Sequence, residues 1–172
     1  MKAIIIDDEP RARNLLEKML EDIQEIQLEI FTAKNLLEGV ELIKTEQPQL
    51  VFLDIEMPEH SGLEIFNFIK PPVYFKLIFT TAYNQYAIEA FKQNAVDYLL
   101  KPIDSEELEQ AVFKAKKLID SEQITHQIED LSKALQKIAM NKIALEVPKG
   151  ILFVPHEEIL YFEADGMYTN VF

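Results

Sequence analysis

The chain has 172 residues, and 17 Lys+Arg against 30 Asp+Glu give it a formal net charge of −13. That surplus of acid argues against nonspecific binding to nucleic acid or to an anionic membrane surface. The absence of cysteine removes disulfides, thiolate zinc, iron–sulfur clusters and cysteine nucleophiles together, while 48% apolar and 27% charged residues suit one packed domain and part of a second.

Lys2–Ile6, rich in isoleucine, predicts a buried strand of a parallel sheet. Asp7-Asp8-Glu9 follows, and Pro10 suits the first turn of a helix on which Leu15, Leu16, Met19 and Leu20 recur at helical spacing. Residues 27–31 predict a second strand. Residues 36–46 predict a second helix, with Leu36, Val40 and Ile43 on one face and Pro48 beyond its end. A third strand over 50–53 runs into Asp54. The loop Met57-Pro58-Glu59-His60-Ser61-Gly62 carries turn chemistry, and residues 63–69 predict a helix. Residues 75–79 predict a fourth strand leading to Thr80-Thr81-Ala82, residues 85–93 a helix, and residues 96–100 a fifth strand ending at Lys101-Pro102. Asp104-Ser105-Glu106-Glu107 opens a helix with acid in its first turn, where the macrodipole favours it. Five alternations imply right-handed crossovers and a parallel sheet covered by helices on both faces, an α/β doubly wound fold.

From Asp120 the pattern changes. Ile124, Ile128, Leu131, Leu135 and Ile138 are spaced 4, 3, 4 and 3, an a/d seam over about two heptads. Residues 121–140 are therefore expected to form a helical linker that either pairs as a coiled coil with a second copy or packs on its own domain. Beyond it, residues 143–147, 150–154, 159–162 and 167–172 predict short strands, with turns at Pro148-Lys149-Gly150 and Ala164-Asp165-Gly166. The expectation for residues 141–172 is a β domain cut short. No apolar run approaches the roughly 20 residues that span a bilayer, and the N-terminal run is too short for a signal peptide. A cytoplasmic location without membrane attachment is expected.

In an open doubly wound sheet with strand order 2-1-3-4-5, ligands bind at the carboxyl ends of the strands, where the winding reverses between the first and third. The first ends at Asp7-Asp8 and the third at Asp54, so three carboxylates are expected in one crevice. Clustered carboxylates repel one another unless a cation sits among them, and hard oxygen ligands select Mg²⁺ or Mn²⁺. The histidines, His60, His126 and His156, form no ligand pair. Magnesium points to phosphate chemistry, yet no glycine-rich phosphate loop is present among four glycines. Thr81 and Lys101, at the ends of the fourth and fifth strands, are the candidates to meet an anion that forms transiently on one carboxylate.

Asp7-Asp8 after an isoleucine strand, Asp54-Ile55-Glu56-Met57-Pro58, Thr81-Ala82 and Lys101-Pro102 resemble the receiver domain of two-component response regulators, a flavodoxin-like (βα)5 fold, over residues 1–120. The resemblance implies that Asp54 is the phosphoacceptor for a sensor histidine kinase. It makes Asp8 a direct Mg²⁺ ligand beside Asp54, with Asp7 acting through water and Glu56 through its backbone carbonyl. It also implies phosphate contacts from Thr81, Ala82 and Lys101, a cis peptide at Lys101-Pro102, and Tyr98 as a switch aromatic. A receiver that dimerises is the corresponding expectation, with self-phosphorylation and slow dephosphorylation rather than enzymatic turnover. Residues 143–169, with Ile159-Leu160-Tyr161-Phe162-Glu163-Ala164-Asp165-Gly166-Met167-Tyr168, resemble the opening of a LytTR-type DNA-binding domain. That resemblance implies transcriptional output through DNA by the complete domain, and not by residues 141–172 alone, where Lys142 and Lys149 make no basic patch.

Three rivals are weighed against this. A Mg²⁺-dependent aspartyl-phosphate phosphatase carries its nucleophile in an Asp-x-Asp arrangement after the first strand, which Asp7-Asp8-Glu9-Pro10 lacks. A receiver-like interaction module that is never phosphorylated would be expected to have lost part of the pocket. A flavodoxin would carry a Ser/Thr/Gly-rich loop after the first strand.

Overall fold

The computed structural model describes residues 1–83, 85, 93–140 and 142–172. It divides into two compact units, Met1–Asp120 and Ser121–Phe172.

In the first unit β1 (Lys2–Ile6), α1 (Pro10–Glu21), β2 (Glu29–Ala33), α2 (Leu36–Glu46), β3 (Leu50–Asp54), α3 (Ile65–Phe68), β4 (Lys76–Thr81) and β5 (Asp97–Leu100) follow in order, and α4 (Ser105–Met140) begins. The strands form one parallel sheet in the order β2-β1-β3-β4-β5, as expected for this fold. Alternate residues of each strand face opposite ways. Ala3 and Ile5, with Phe52 and Ile78, pack under Leu16 and Leu20 of α1 and Leu108, Val112 and Ala115 of α4. Ile4 and Ile6, with Val51, Leu53 and Phe79, pack under Leu36, Val40 and Ile43 of α2 and Ile65 of α3. Both faces are dry, which is why the strands read as unbroken apolar runs.

Local chemistry sets the ends. Pro10 occupies the first helical position of α1, where its missing N–H costs nothing. Asn35 caps α2 by accepting from the N–H of Glu38 at 2.8 Å, and Gln47 closes it in the left-handed region (φ 49°). Asp104 Oδ1 accepts from the N–H groups of Glu106 and Glu107 and so caps α4. Gly39 of α2 lies against Ile6, where a Cβ would come within 2.3 Å of Ile6 Cδ1.

Two boundaries in this unit depart clearly from expectation, and one expected helix goes untested. The second strand lies two residues later, over Glu29–Ala33, because its partner β1 begins only at Lys2, which pairs with Glu29. The third helix is a 3-10 turn (Gly62–Glu64) followed by one α turn, since Pro71 forces the residue before it toward extended backbone. The helix expected over 85–93 falls largely on residues outside those described.

In the second unit β6 (Lys142–Val147) pairs antiparallel with β7 (Gly150–Pro155), and β8 (Phe162–Asp165) with β9 (Tyr168–Val171). Pro148-Lys149 and Gly166-Met167 make the two turns, and the strand expected over 159–162 is displaced to begin at Phe162. A 3-10 turn at His156–Glu158 takes up the chain before it, and Gly166 (φ 62°) supplies the left-handed residue that a tight hairpin needs. Ile124, Ile128 and Leu131 are each more than half exposed on α4, and Leu135 and Ile138 fall on the same helix. Among the described residues no helix is long and apolar enough to cross a membrane.

Candidate functional site

Asp7 follows β1 directly and is 2% exposed; Asp54 is the last residue of β3 and is 4% exposed. Because Ile6 pairs with Leu53, the two acids stand level on adjacent strands. Asp8 is half-buried, and one carboxylate oxygen from each of Asp7, Asp8 and Asp54 lies within 4.8 Å of the others. Sequence positions 47 apart thus meet at the topological switch of the sheet.

Lys101 reaches into the same group from the end of β5. Its Nζ donates to Asp54 Oδ2 at 2.6 Å and meets Asp7 Oδ2 at 2.7 Å. Burial pushes the Asp54 carboxyl above its usual range; the Lys101 ammonium pulls it back and the Asp7 carboxylate pushes it up again. For Lys101, burial works against the charge, but the bonds to Asp54 and Asp7 outweigh it and hold the ammonium above its ordinary value. The Lys101-Pro102 peptide is cis, as is Pro71-Pro72, which the sequence did not single out.

The loop after β3 folds back over Asp54. Asp54 Oδ1 accepts from the N–H of Glu56 at 3.2 Å, while Ser61 Oγ and the Gly62 N–H both donate to the carbonyl of Ile55, at 3.0 and 2.9 Å. A Cβ at Gly62 would sit 2.1 Å from the Asp54 carbonyl oxygen. Glycine is therefore required for this close approach. Sequence reasoning took Ser61-Gly62 only as turn chemistry; the signal it passed over was one of four glycines lying eight residues beyond a strand-end aspartate.

Thr81 ends β4 and is fully buried, with its carbonyl accepting from the N–H of Lys101 at 2.7 Å. Its hydroxyl accepts from the N–H of Tyr83 at 3.4 Å. Tyr98, half-buried on β5 beside Phe79, donates its hydroxyl to the carbonyl of Tyr83. Ala82 is exposed. The structure therefore brings Asp7, Asp8, Asp54 and Lys101 into direct contact or close approach, and connects Tyr98 to Thr81 through the Tyr83 backbone. The seam residues Ile124, Ile128, Leu131, Leu135 and Ile138 belong to the second unit.

The donor set fits a hard divalent cation: all three acids offer oxygen, and no sulfur or imidazole ligand stands among them. Both oxygens of Asp7 already have partners, Oδ1 accepting from the N–H of Glu9 at 2.8 Å and Oδ2 meeting Lys101. Both oxygens of Asp54 are engaged in the same way, Oδ1 by the N–H of Glu56 and Oδ2 by Lys101, so a cation here would share oxygens with the backbone and with Lys101.

Comparison with known proteins agrees with this fold. Residues 3–113 match the family described as response regulator receiver domain. The chain is 36% identical over 98% of its length to the sensory transduction protein LytT of Bacillus cereus, of which it covers 68%. It is similar to the crystal structure of a LuxR-family DNA-binding response regulator from Staphylococcus aureus, with 29% identity and a TM-score of 0.59 over 66% of this chain and 97% of that one. The signal receiver domain of a LuxO-type repressor protein from Vibrio parahaemolyticus shares the fold at a TM-score of 0.65 and 23% identity, over 72% of this chain and 95% of that one.

Proposed function

The chain belongs to the response regulator receiver family, and we propose that Asp54 is its phosphoacceptor. The observation that carries this reading is the meeting of Asp54, Asp7, Asp8 and Lys101 at the carboxyl ends of three parallel strands. As a receiver of a two-component system the domain takes up a phosphoryl group rather than turning over a substrate.

In the proposed reaction a carboxylate oxygen of Asp54 attacks the phosphorus of a phosphohistidine on a sensor histidine kinase. A P–O bond forms, the P–N bond breaks, and the departing imidazole nitrogen takes the electron pair and is then protonated. Burial that raises the Asp54 carboxyl also makes its ionised form the more basic nucleophile. Asp8 and Asp54 would hold Mg²⁺ directly, with Asp7 through water and the Glu56 carbonyl completing the protein's share. When bound there, Mg²⁺ (or Mn²⁺) supplies charge neutralisation to the transferring group. Lys101, now between Asp7 and Asp54, follows the new negative charge, and the Thr81 hydroxyl with the Ala82 backbone completes its coordination. Displacement of Thr81 would slacken the Thr81–Tyr83–Tyr98 connection and let the Tyr98 ring change place.

The output reading assigns residues 1–120 to the receiver, 121–140 to a linker that dimerises through the seam from Ile124 to Ile138, and 141–172 to the opening of a LytTR-type domain. DNA binding belongs to that domain complete. Residues 141–172 hold two lysines against five acids, which gives no electrostatic footprint for a duplex.

The test is stoichiometric labelling. Full chain incubated with phosphoramidate and Mg²⁺ is expected to gain one phosphoryl group by intact mass, lost on mild alkaline hydrolysis, and Asp54→Asn is expected to gain none. Persistent Mg²⁺-dependent labelling of Asp54→Asn would remove Asp54 from this role. Continuous release of phosphate from small esters would favour the phosphatase reading instead.

A further inference from the structure

The peptide unit joining Asp7 to Asp8 decides how those two carboxylates stand relative to each other. Three polar atoms of Asp7 are held by partners already described or by the sheet: its N–H donates to the Ala33 carbonyl at 3.1 Å, Oδ1 accepts from Glu9 and Oδ2 meets Lys101. The fourth, the carbonyl of the joining peptide itself, accepts from Nη1 of Arg13. Arg13 is half-buried in the first turns of α1, and its own N–H donates to the Glu9 carbonyl at 3.1 Å. The guanidinium is thus rooted on a helix whose start Pro10 presets.

From this geometry we propose that Arg13 is a positioning residue of the acidic site, clamping the Asp7–Asp8 peptide so that the carboxylates keep the arrangement a divalent ion needs. The assignment rests on the reading of this site as a Mg²⁺-dependent phosphoacceptor centre. Electrostatics favours an arginine here for a second reason. Three acids within 4.8 Å of one another repel. Arg13 adds a permanent positive charge through a backbone carbonyl, so it engages no carboxylate oxygen that a cation would use. Lys101, by contrast, sits on two of those oxygens. Groups that orient metal ligands without touching the metal commonly shift affinity by about 10–100-fold when removed.

The experiment titrates MgCl₂ into the full chain by calorimetry for wild type, Arg13→Met, Arg13→Lys and Arg11→Met, the last removing an exposed charge from the same helix. Arg13→Met is expected to weaken Mg²⁺ binding roughly tenfold or more, Arg13→Lys to recover part of it, and Arg11→Met to bind as wild type does. Labelling by phosphoramidate is expected to fall in Arg13→Met at limiting Mg²⁺ and to return at saturating Mg²⁺. Thermal melts in chelator separate positioning from simple support. A lower Tm with wild-type Mg²⁺ affinity overturns the assignment. So does an Arg13→Met protein whose labelling defect is the same at all Mg²⁺ concentrations. Should Arg13→Met give no cooperative melt, Arg13→Gln, which keeps a donor without the charge, is read by the same criteria. Wild-type protein that binds no Mg²⁺ overturns the phosphoacceptor reading beneath, and this assignment with it; Mg²⁺ binding and labelling by wild type with unchanged affinity in Arg13→Met overturns the assignment alone.

Discussion

Replacing Gly62 by alanine tests how tightly the loop after β3 holds the phosphoacceptor. The added Cβ would lie 2.1 Å from the Asp54 carbonyl oxygen and 3.0 Å from both its carbonyl carbon and Leu53 Cγ, against 3.4 Å or more in ordinary contact. The nearest obstacle is backbone at the end of a central strand, so no rotamer change relieves it. Either the loop retreats by more than an ångström, giving up the two bonds that Ser61 and Gly62 make to the Ile55 carbonyl, or Asp54 moves. Overpacking of this kind costs about 1–3 kcal/mol, and the two hydrogen bonds roughly 1 kcal/mol each. A total of about 3–5 kcal/mol corresponds to a fall in Tm on the order of 10 °C for a chain of this size. A displacement of about 1 Å at a reacting group costs about 100-fold in rate, so phosphoramidate labelling should slow by that order. Gly39→Ala is the control. There the Cβ would meet Cδ1, Cγ1 and Cγ2 of the fully buried Ile6 at 2.3, 2.7 and 3.1 Å, a side-chain clash away from the loop. Overpacking of about 1–3 kcal/mol is then offset by only about 1 kcal/mol of helix propensity. Circular dichroism melts and labelling rates check both. Wild-type stability and rate in Gly62→Ala would refute the claim that the loop sets the position of Asp54.

Asp54→Asn should be more stable than wild type at pH 7 without divalent ions. A carboxyl whose folded value is raised contributes stability below its ordinary value of 3.8 and loses it as pH rises through the raised value, so the gap should close as pH falls toward 4; a gap independent of pH contradicts this. Lys101→Met should cost roughly 3 kcal/mol at pH 7, because it leaves Asp7 and Asp54 without their buried cation, and millimolar Mg²⁺ should restore part of the lost Tm. Melts that do not respond to Mg²⁺ would count against a shared cation site. Ile128→Glu with Leu131→Glu should abolish any concentration-dependent rise in solution mass while leaving the receiver's melt unchanged; equal mass in both proteins removes the seam from dimerisation.

The sheet was legible because both of its faces are buried, so β1 and β3 read as continuous apolar runs and end at the aspartates that matter. Side-chain identity also exposed Asp7, Asp8, Asp54 and Lys101, since charge at the ends of apolar strands has few other uses. What was not legible depends on pairing or on backbone approach. The start of β2 is set by where β1 begins, a fact about another segment. Gly62 matters through contact with a carbonyl oxygen, and Arg13 through the carbonyl of a residue six positions earlier, before its own helix begins; neither leaves a periodic trace. In the second unit the strand at Phe162 slipped because residues 159–162 are apolar enough to read as a strand, whereas hairpin register is fixed by the Gly166-Met167 turn.

The ladder itself acts as a caliper. Ile6 stands opposite Leu53, Asp54 opposite Thr80, and Thr81 opposite Leu100, so the rim of reactive groups is level only because the strands beneath count the same number of steps. One residue inserted in β3 would lift Asp54 by about 3.3 Å and turn it to the other side of the sheet. The core can therefore exchange one aliphatic side chain for another far more freely than it can change length.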